Sequence, residues 1–133
     1  MNNTSNSRRI LLVDNEPDIT SVFSMGLEDA GFKVDAFNDS LLALSNFKAR
    51  FYDLSILDIN MPNMNGFELY KEIRKVDEKV RVCFLTAFNI QYEDLKRISL
   101  QSISTEQDAM KFLIQKPIEI DDLVKRIKEE LIS

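Results

Sequence analysis

The sequence predicts an α/β fold: a doubly wound parallel sheet with helices on both faces. Short apolar runs alternate with longer amphipathic patterns along the chain. The runs at residues 10–13 and 54–59 are nearly continuous, as strands covered on both faces require. The segments between them are long enough for crossover helices, and right-handed crossovers then fix most of the topology. At 133 residues the chain makes one domain, able to bury roughly two-thirds of its unfolded surface.

Residues 1–7 are rich in Asn and Ser and read as a disordered tail ahead of a folded domain over 8–133. Residues 10–13 form the first strand. A helix follows over about 18–30, with Ile19, Val22, Phe23, Gly26 and Ala30 along one face. Pro17 suits its first position, and Gly31 the left-handed position beyond its end. Residues 32–37 alternate, with Lys33 and Asp35 between Phe32, Val34 and Ala36, which implies an edge strand with one wetted face. Asp39 can cap a short helix over about 40–48. Residues 54–59 make a buried strand, and the turn-rich loop 60–66 leads into a helix with Leu69, Ile73 and Val76 on one face. Asn65 and Glu68 match a capping box for that helix. Residues 80–85 form a strand with Thr86 at its end, 89–99 a candidate helix, and 110–115 the last strand. Ile120, Leu123, Val124, Ile127 and Leu131 stripe a final helix whose charged residues over 125–130 form its wet face. Cys83, inside an apolar strand, reads as an inert small hydrophobe.

Composition excludes much chemistry. With 22 acids against 17 bases the net charge is −5, which gives no field for nucleic acid. No apolar run approaches the ~20 residues that span a bilayer, so no membrane partner is expected. The polar start lacks the apolar core of a signal peptide, so a cytoplasmic location is expected. A single cysteine cannot form an internal disulfide. The chain has no histidine, which removes Ser-His triads, Cys-His pairs, His-built zinc sites and phosphohistidine chemistry of its own.

In an open parallel sheet the ligand site lies beyond the carboxyl ends of the strands, where strand order reverses. Asp14, Asn15 and Glu16 follow the first strand, Asp58 the third, Thr86 the fourth and Lys116 the fifth. Carboxylates brought to ~4 Å repel by ~4 kcal/mol per pair at an effective dielectric of about 20, so the cluster needs a cation. Lys116 and a divalent ion would supply it, and hard oxygen donors favour Mg²⁺.

These residues resemble the receiver domain of two-component response regulators; if the 133 residues are the whole protein, the stand-alone, single-domain type is expected. The resemblance covers about 8–133. It rests on Leu12-Val13-Asp14-Asn15-Glu16-Pro17-Asp18, on Asp53-Leu54-Ser55-Ile56-Leu57-Asp58-Ile59-Asn60-Met61-Pro62 followed by Asn65-Gly66, on Leu85-Thr86-Ala87, and on Lys116-Pro117. Each is weak alone; all four in order at strand ends are specific. The resemblance implies a flavodoxin-like, five-stranded sheet of order 2-1-3-4-5. It also implies that Asp58 accepts a phosphoryl group from a sensor histidine kinase, a phosphotransfer protein or a small phosphodonor. Mg²⁺ would be held by Asp14 through bound water, by position 15 (here Asn15), by Asp58 and by the main-chain carbonyl of Asn60. Lys116 would pair with Asp58 and then with the phosphoryl oxygens, Thr86 would bond the phosphate, and Lys116-Pro117 would be cis. Output would pass through contacts with a downstream protein, and the only catalysis implied is phosphorylation and dephosphorylation of the chain itself. The missing histidine fits this division: the donor imidazole belongs to the partner.

The sequence departs from the family in three places. Asn15 stands where the family usually has a second acid that ligates the metal directly. Losing one charge beside Mg²⁺ predicts affinity weaker by roughly ten- to hundredfold, with Glu16 the candidate to compensate. Asn15 and Glu16 also have a plainer reading as caps of the helix begun by Pro17. The stretch from Thr86 to Lys116 spans 30 positions, about eight more than the family usually has, a large excess against connections of ~4–6 residues. Finally, Leu113 occupies the position three before the lysine, commonly a Tyr or Phe coupled to the threonine, so a muted or rewired switch is expected.

Three other functions compete. An aspartyl-phosphate phosphatase of the dehalogenase kind needs a second carboxylate two residues after its nucleophile, where this chain has Asn60. A flavodoxin-like cofactor binder needs a Gly/Ser/Thr-rich loop where this chain has Asp14-Asn15-Glu16-Pro17. A pseudo-receiver that only docks, without phosphorylation, draws support from Asn15 and Leu113. Asp58, Thr86 and Lys116 argue against it.

Overall fold

The computed structural model describes residues 8–87 and 113–132. Its strands are β1 (Arg9–Val13), β2 (Lys33–Phe37), β3 (Leu54–Asp58), β4 (Val82–Thr86) and β5 (Leu113–Gln115). Its helices are α1 (Pro17–Asp29), α2 (Ser40–Asn46), α3 (Gly66–Val76) and α4 (Ile120–Ile132). The strands form one parallel sheet of order β2-β1-β3-β4-β5, as the resemblance implied. Val13 lies opposite both Phe37 and Leu57, Asp58 opposite Leu85, and Thr86 opposite Gln115, so the strands end almost in line. That alignment gathers their C-terminal residues on one edge.

Alternation along the central strands divides the core in two. Leu11, Val13, Leu57 and Phe84 face α2 and α3 and pack with Ala43, Phe67, Leu69 and Ile73. Ile10, Leu12, Ile56, Cys83 and Leu85 face α1 and α4 and pack with Phe23, Leu27, Leu123 and Ile127. Strands covered on both sides must be apolar at successive positions, and this is why β1 and β3 were legible as continuous runs. Cys83 is fully buried within the second cluster, and burial pushes its thiol up to about 12. That supports the expectation that it is inert.

The caps also follow the sequence. Asp39 accepts from the Leu41 amide at the start of α2, and Asn65 and Glu68 form the reciprocal capping box of α3. Gly31 takes a φ of +102° just past α1. Several boundaries differ from the sequence expectation. β4 begins at Val82 rather than residue 80, because the Val80 amide closes a turn onto the Asp77 carbonyl. α2 stops at Asn46, where Phe47 turns to extended backbone and stacks on Tyr52. In β2, Ala36 is exposed, while the half-buried Asp35 accepts a 2.7 Å hydrogen bond from the Tyr52 hydroxyl. A hydrogen-bonded acid there outweighs the apolar–polar alternation. Arg126, read as part of a wet helix face, is half-buried and donates to the Leu113 carbonyl, tying α4 to β5. The expected tail 1–7, the helix over 89–99 and strand residues 110–112 lie outside the described residues. Among the described residues no helix is long and apolar enough to cross a membrane.

Candidate functional site

The site is built by strand ends. β1 delivers Asp14 and β3 ends on Asp58, and the two carboxylates are buried at 0% and 2% exposure. β4 ends on the buried Thr86. The Lys116 amide donates to the Thr86 carbonyl at 2.7 Å, which locks the start of the last loop against β4. The Lys116-Pro117 bond is cis. The structure thus brings Asp14, Asp58, Thr86 and Lys116 to one edge of the sheet, from four strands far apart in sequence.

The loop after β3 is held close to the nucleophile candidate. The Asn60 amide donates to Asp58 Oδ1 at 3.2 Å, and the Gly66 amide donates to the Ile59 carbonyl at 3.1 Å. A β-carbon placed on Gly66 would overlap the main-chain carbonyl of Asp58, so this crossing requires glycine. On the other side, Asn38 at the end of β2 donates from Nδ2 to the Asp14 carbonyl at 2.8 Å and to Thr20 Oγ1 at 2.9 Å. Sequence reasoning missed Asn38. Its signal was a carboxamide directly after an edge strand, beside the strand that ends at Asp14.

Lys116 pairs with Asp58 as expected, but it has two closer partners. Its Nζ lies 2.8 Å from Asp14 Oδ2 and 3.1 Å from Glu16 Oε1, but 3.7 Å from Asp58 Oδ1. The expected pairing with Asp58 is therefore the longest of three contacts, and Asp14 and Glu16 hold the ammonium. Glu16 also supplies the N-cap residue of α1, but its side chain makes no capping bond. The capping reading of Glu16 thus gives way to an ion pair with Lys116. Asn15 is exposed beside this pair. Leu113 lies half-buried at the edge of the core formed with α2 and α3.

The electrostatics are those of a cluster short of positive charge. Burial, then the neighbouring Asp14 charge, raise the Asp58 carboxyl to about 6 against the opposing pull of Lys116. For Lys116, burial works to lower the ammonium's pKa, but the bonds to Asp14 and Glu16 and the charges of Asp14 and Asp58 outweigh it and raise the value. Among the described residues no group of three or more carboxylate or thiol side chains forms a metal cluster. The oxygens available at the strand ends are two buried carboxylates, an exposed carboxamide and main-chain carbonyls. Such hard donors, around a carboxylate that its neighbours resist ionising, suit Mg²⁺.

The family model for the response regulator receiver domain matches residues 10–128. The chain belongs to the response regulator receiver family. It is 37% identical over 120 residues to a transcriptional regulatory protein, a CpxR homolog of Haemophilus influenzae, covering 90% of this chain and 48% of that protein. It is 27% identical to the response regulator receiver protein CpdR of Brucella abortus, covering 95% and 98% of the two. Among solved structures, a CheY-like receiver domain protein from Methanospirillum hungatei superposes with a TM-score of 0.78 at 27% identity, covering 95% and 94%. The chain spans about half the length of most of the curated relatives it matches, and nearly all of CpdR. As a receiver it is a module of two-component signalling.

Proposed function

We propose that this receiver accepts a phosphoryl group on Asp58 from a sensor histidine kinase or phosphotransfer protein in the cytoplasm and signals by protein–protein contacts. The observation that supports this most strongly is the convergence of Asp58, Asp14 and Lys116, from separate strand ends, around one buried carboxylate. In the reaction a carboxylate oxygen of Asp58 forms the new O–P bond while the donor's P–N bond breaks, and the electron pair leaves with the partner's imidazole. Asp58 must be ionised to attack. Lys116 is close enough to follow the charge onto the incoming phosphoryl oxygens, and Thr86 stands at the neighbouring strand end to bond one of them. Asp14, Asp58, the Asn60 carbonyl and Asn15 would hold Mg²⁺, which would neutralise the phosphoryl charge. Asn15 would contribute an oxygen but no charge, so the ion would be held weakly.

The test is beryllofluoride or acetyl phosphate with Mg²⁺, on wild type and on Asp58→Asn. An adduct in wild type and none in the variant is expected. No adduct on wild type at saturating Mg²⁺ would instead favour a receiver that only docks.

A further inference from the structure

The contact that the sequence did not specify is Glu16 to Lys116. Lys116 is nearly buried, whereas the Glu16 side chain is 61% exposed and reaches in from the rim to meet it at 3.1 Å. The ammonium is thereby shared between Asp14 and Glu16, with Asp58 Oδ1 left at 3.7 Å. We propose that Glu16 is a positioning residue: it anchors Lys116 on the Asp14 side of the site, off the Asp58 carboxylate that must take metal and phosphoryl group.

Charge balance gives the reason. Asp14, Glu16 and Asp58 carry three negative charges against the one positive charge of Lys116. Glu16 and Lys116 offset each other, leaving the two aspartates to face a dication. Without Glu16 the site loses one negative charge, and Asp58 becomes the nearest second partner for Lys116, which then competes with the metal for that carboxylate. Glu16 thus offsets from outside the metal shell the charge that Asn15 omits. Its side chain reaches Lys116, not the metal oxygens, so it acts through the lysine. This inference rests on the phosphoacceptor reading for its use of Mg²⁺, but the placement of Lys116 by Glu16 can be read without metal.

The full chain is compared as wild type, Glu16→Gln, Lys116→Met and the double variant. In metal-free protein the ¹⁵N-labelled ammonium signal of Lys116 is followed by NMR, and Mg²⁺ affinity is measured by calorimetry. Glu16→Gln is expected to move the Lys116 signal before any metal is added, and to weaken Mg²⁺ about tenfold. In the Lys116→Met background the same substitution is expected to cost only about twofold, the through-space effect of one exposed charge. Equal losses in both backgrounds would overturn the proposal, since Glu16 would then act by charge alone or as a direct ligand. A Lys116 signal indifferent to Glu16→Gln would also overturn it, and needs no folded Lys116→Met. If Lys116 responds but no variant binds Mg²⁺, the phosphoacceptor reading fails while the positioning role stands.

Discussion

At the scale of single residues, Asp58 is held at a cost in stability. Its carboxyl is raised to about 6 from an ordinary value near 3.8, first by burial and then by Asp14. Between pH 4 and 6 the folded state therefore keeps a proton that the unfolded chain has released. The Asp58 contribution to the stability of the metal-free protein should fall as pH rises through this window and stay low above it. Asp58→Asn removes the titrating group but keeps the shape, and Lys116 retains its closer contacts to Asp14 and Glu16. The variant should match wild type near pH 4 and exceed it by about 1–3 kcal/mol at pH 7. Urea denaturation in chelator across pH 4–8 measures the difference; a pH-independent gap would show that Asp58 ionises as it does in the unfolded chain. A second prediction concerns Asn38, which bonds the Asp14 carbonyl and Thr20. Asn38→Ala should cost about 1 kcal/mol in the same assay and weaken Mg²⁺ binding, by loosening the end of β1.

Among the elements, the turn from β3 into α3 decides how accurately Asp58 is presented. The capping box fixes where α3 starts, and Gly66 lets it start against the Asp58 main chain. Gly66→Ala gives this crossing a direct test, because helix propensity and packing predict opposite signs. Propensity alone favours alanine by up to ~1 kcal/mol, whereas a β-carbon against the Asp58 carbonyl should cost about 1–3 kcal/mol net. We expect destabilisation on chemical denaturation together with loss of the beryllofluoride adduct; a more stable variant would show that the loop yields without disturbing Asp58. The elements also show what the sequence could carry. β1 and β3 were legible because burial on both faces forces consecutive apolar residues. Asp14, Asp58, Thr86 and Lys116 were legible because they end or directly follow strands, and strand ends of a parallel sheet share an edge. The inward turn of Asp35 toward Tyr52, the late start of β4, the anchoring of Asp14 by Asn38 and the partner chosen by Lys116 were not. Each depends on a side chain or loop meeting a residue distant in sequence, and no local pattern encodes such a meeting.

For the molecule as a whole, folding and site chemistry are linked through charge. The two apolar layers hold the sheet rigid, and its carboxyl edge carries more negative charge than Lys116 can balance. A cation bound there must raise global stability by RT ln(1 + [Mg²⁺]/Kd), so affinity at position 15 can be read from unfolding of the entire chain. Asn15→Asp adds a negative charge at this position. In chelator the added carboxylate increases repulsion at an exposed position, and the variant should be less stable than wild type by under about 1 kcal/mol. In saturating Mg²⁺ the order should reverse. A roughly tenfold gain in affinity corresponds to about 1.4 kcal/mol, and a hundredfold gain to about twice that. Thermal unfolding of both proteins over a Mg²⁺ series would show the curves crossing. Parallel curves would mean that Asn15 is not at the metal.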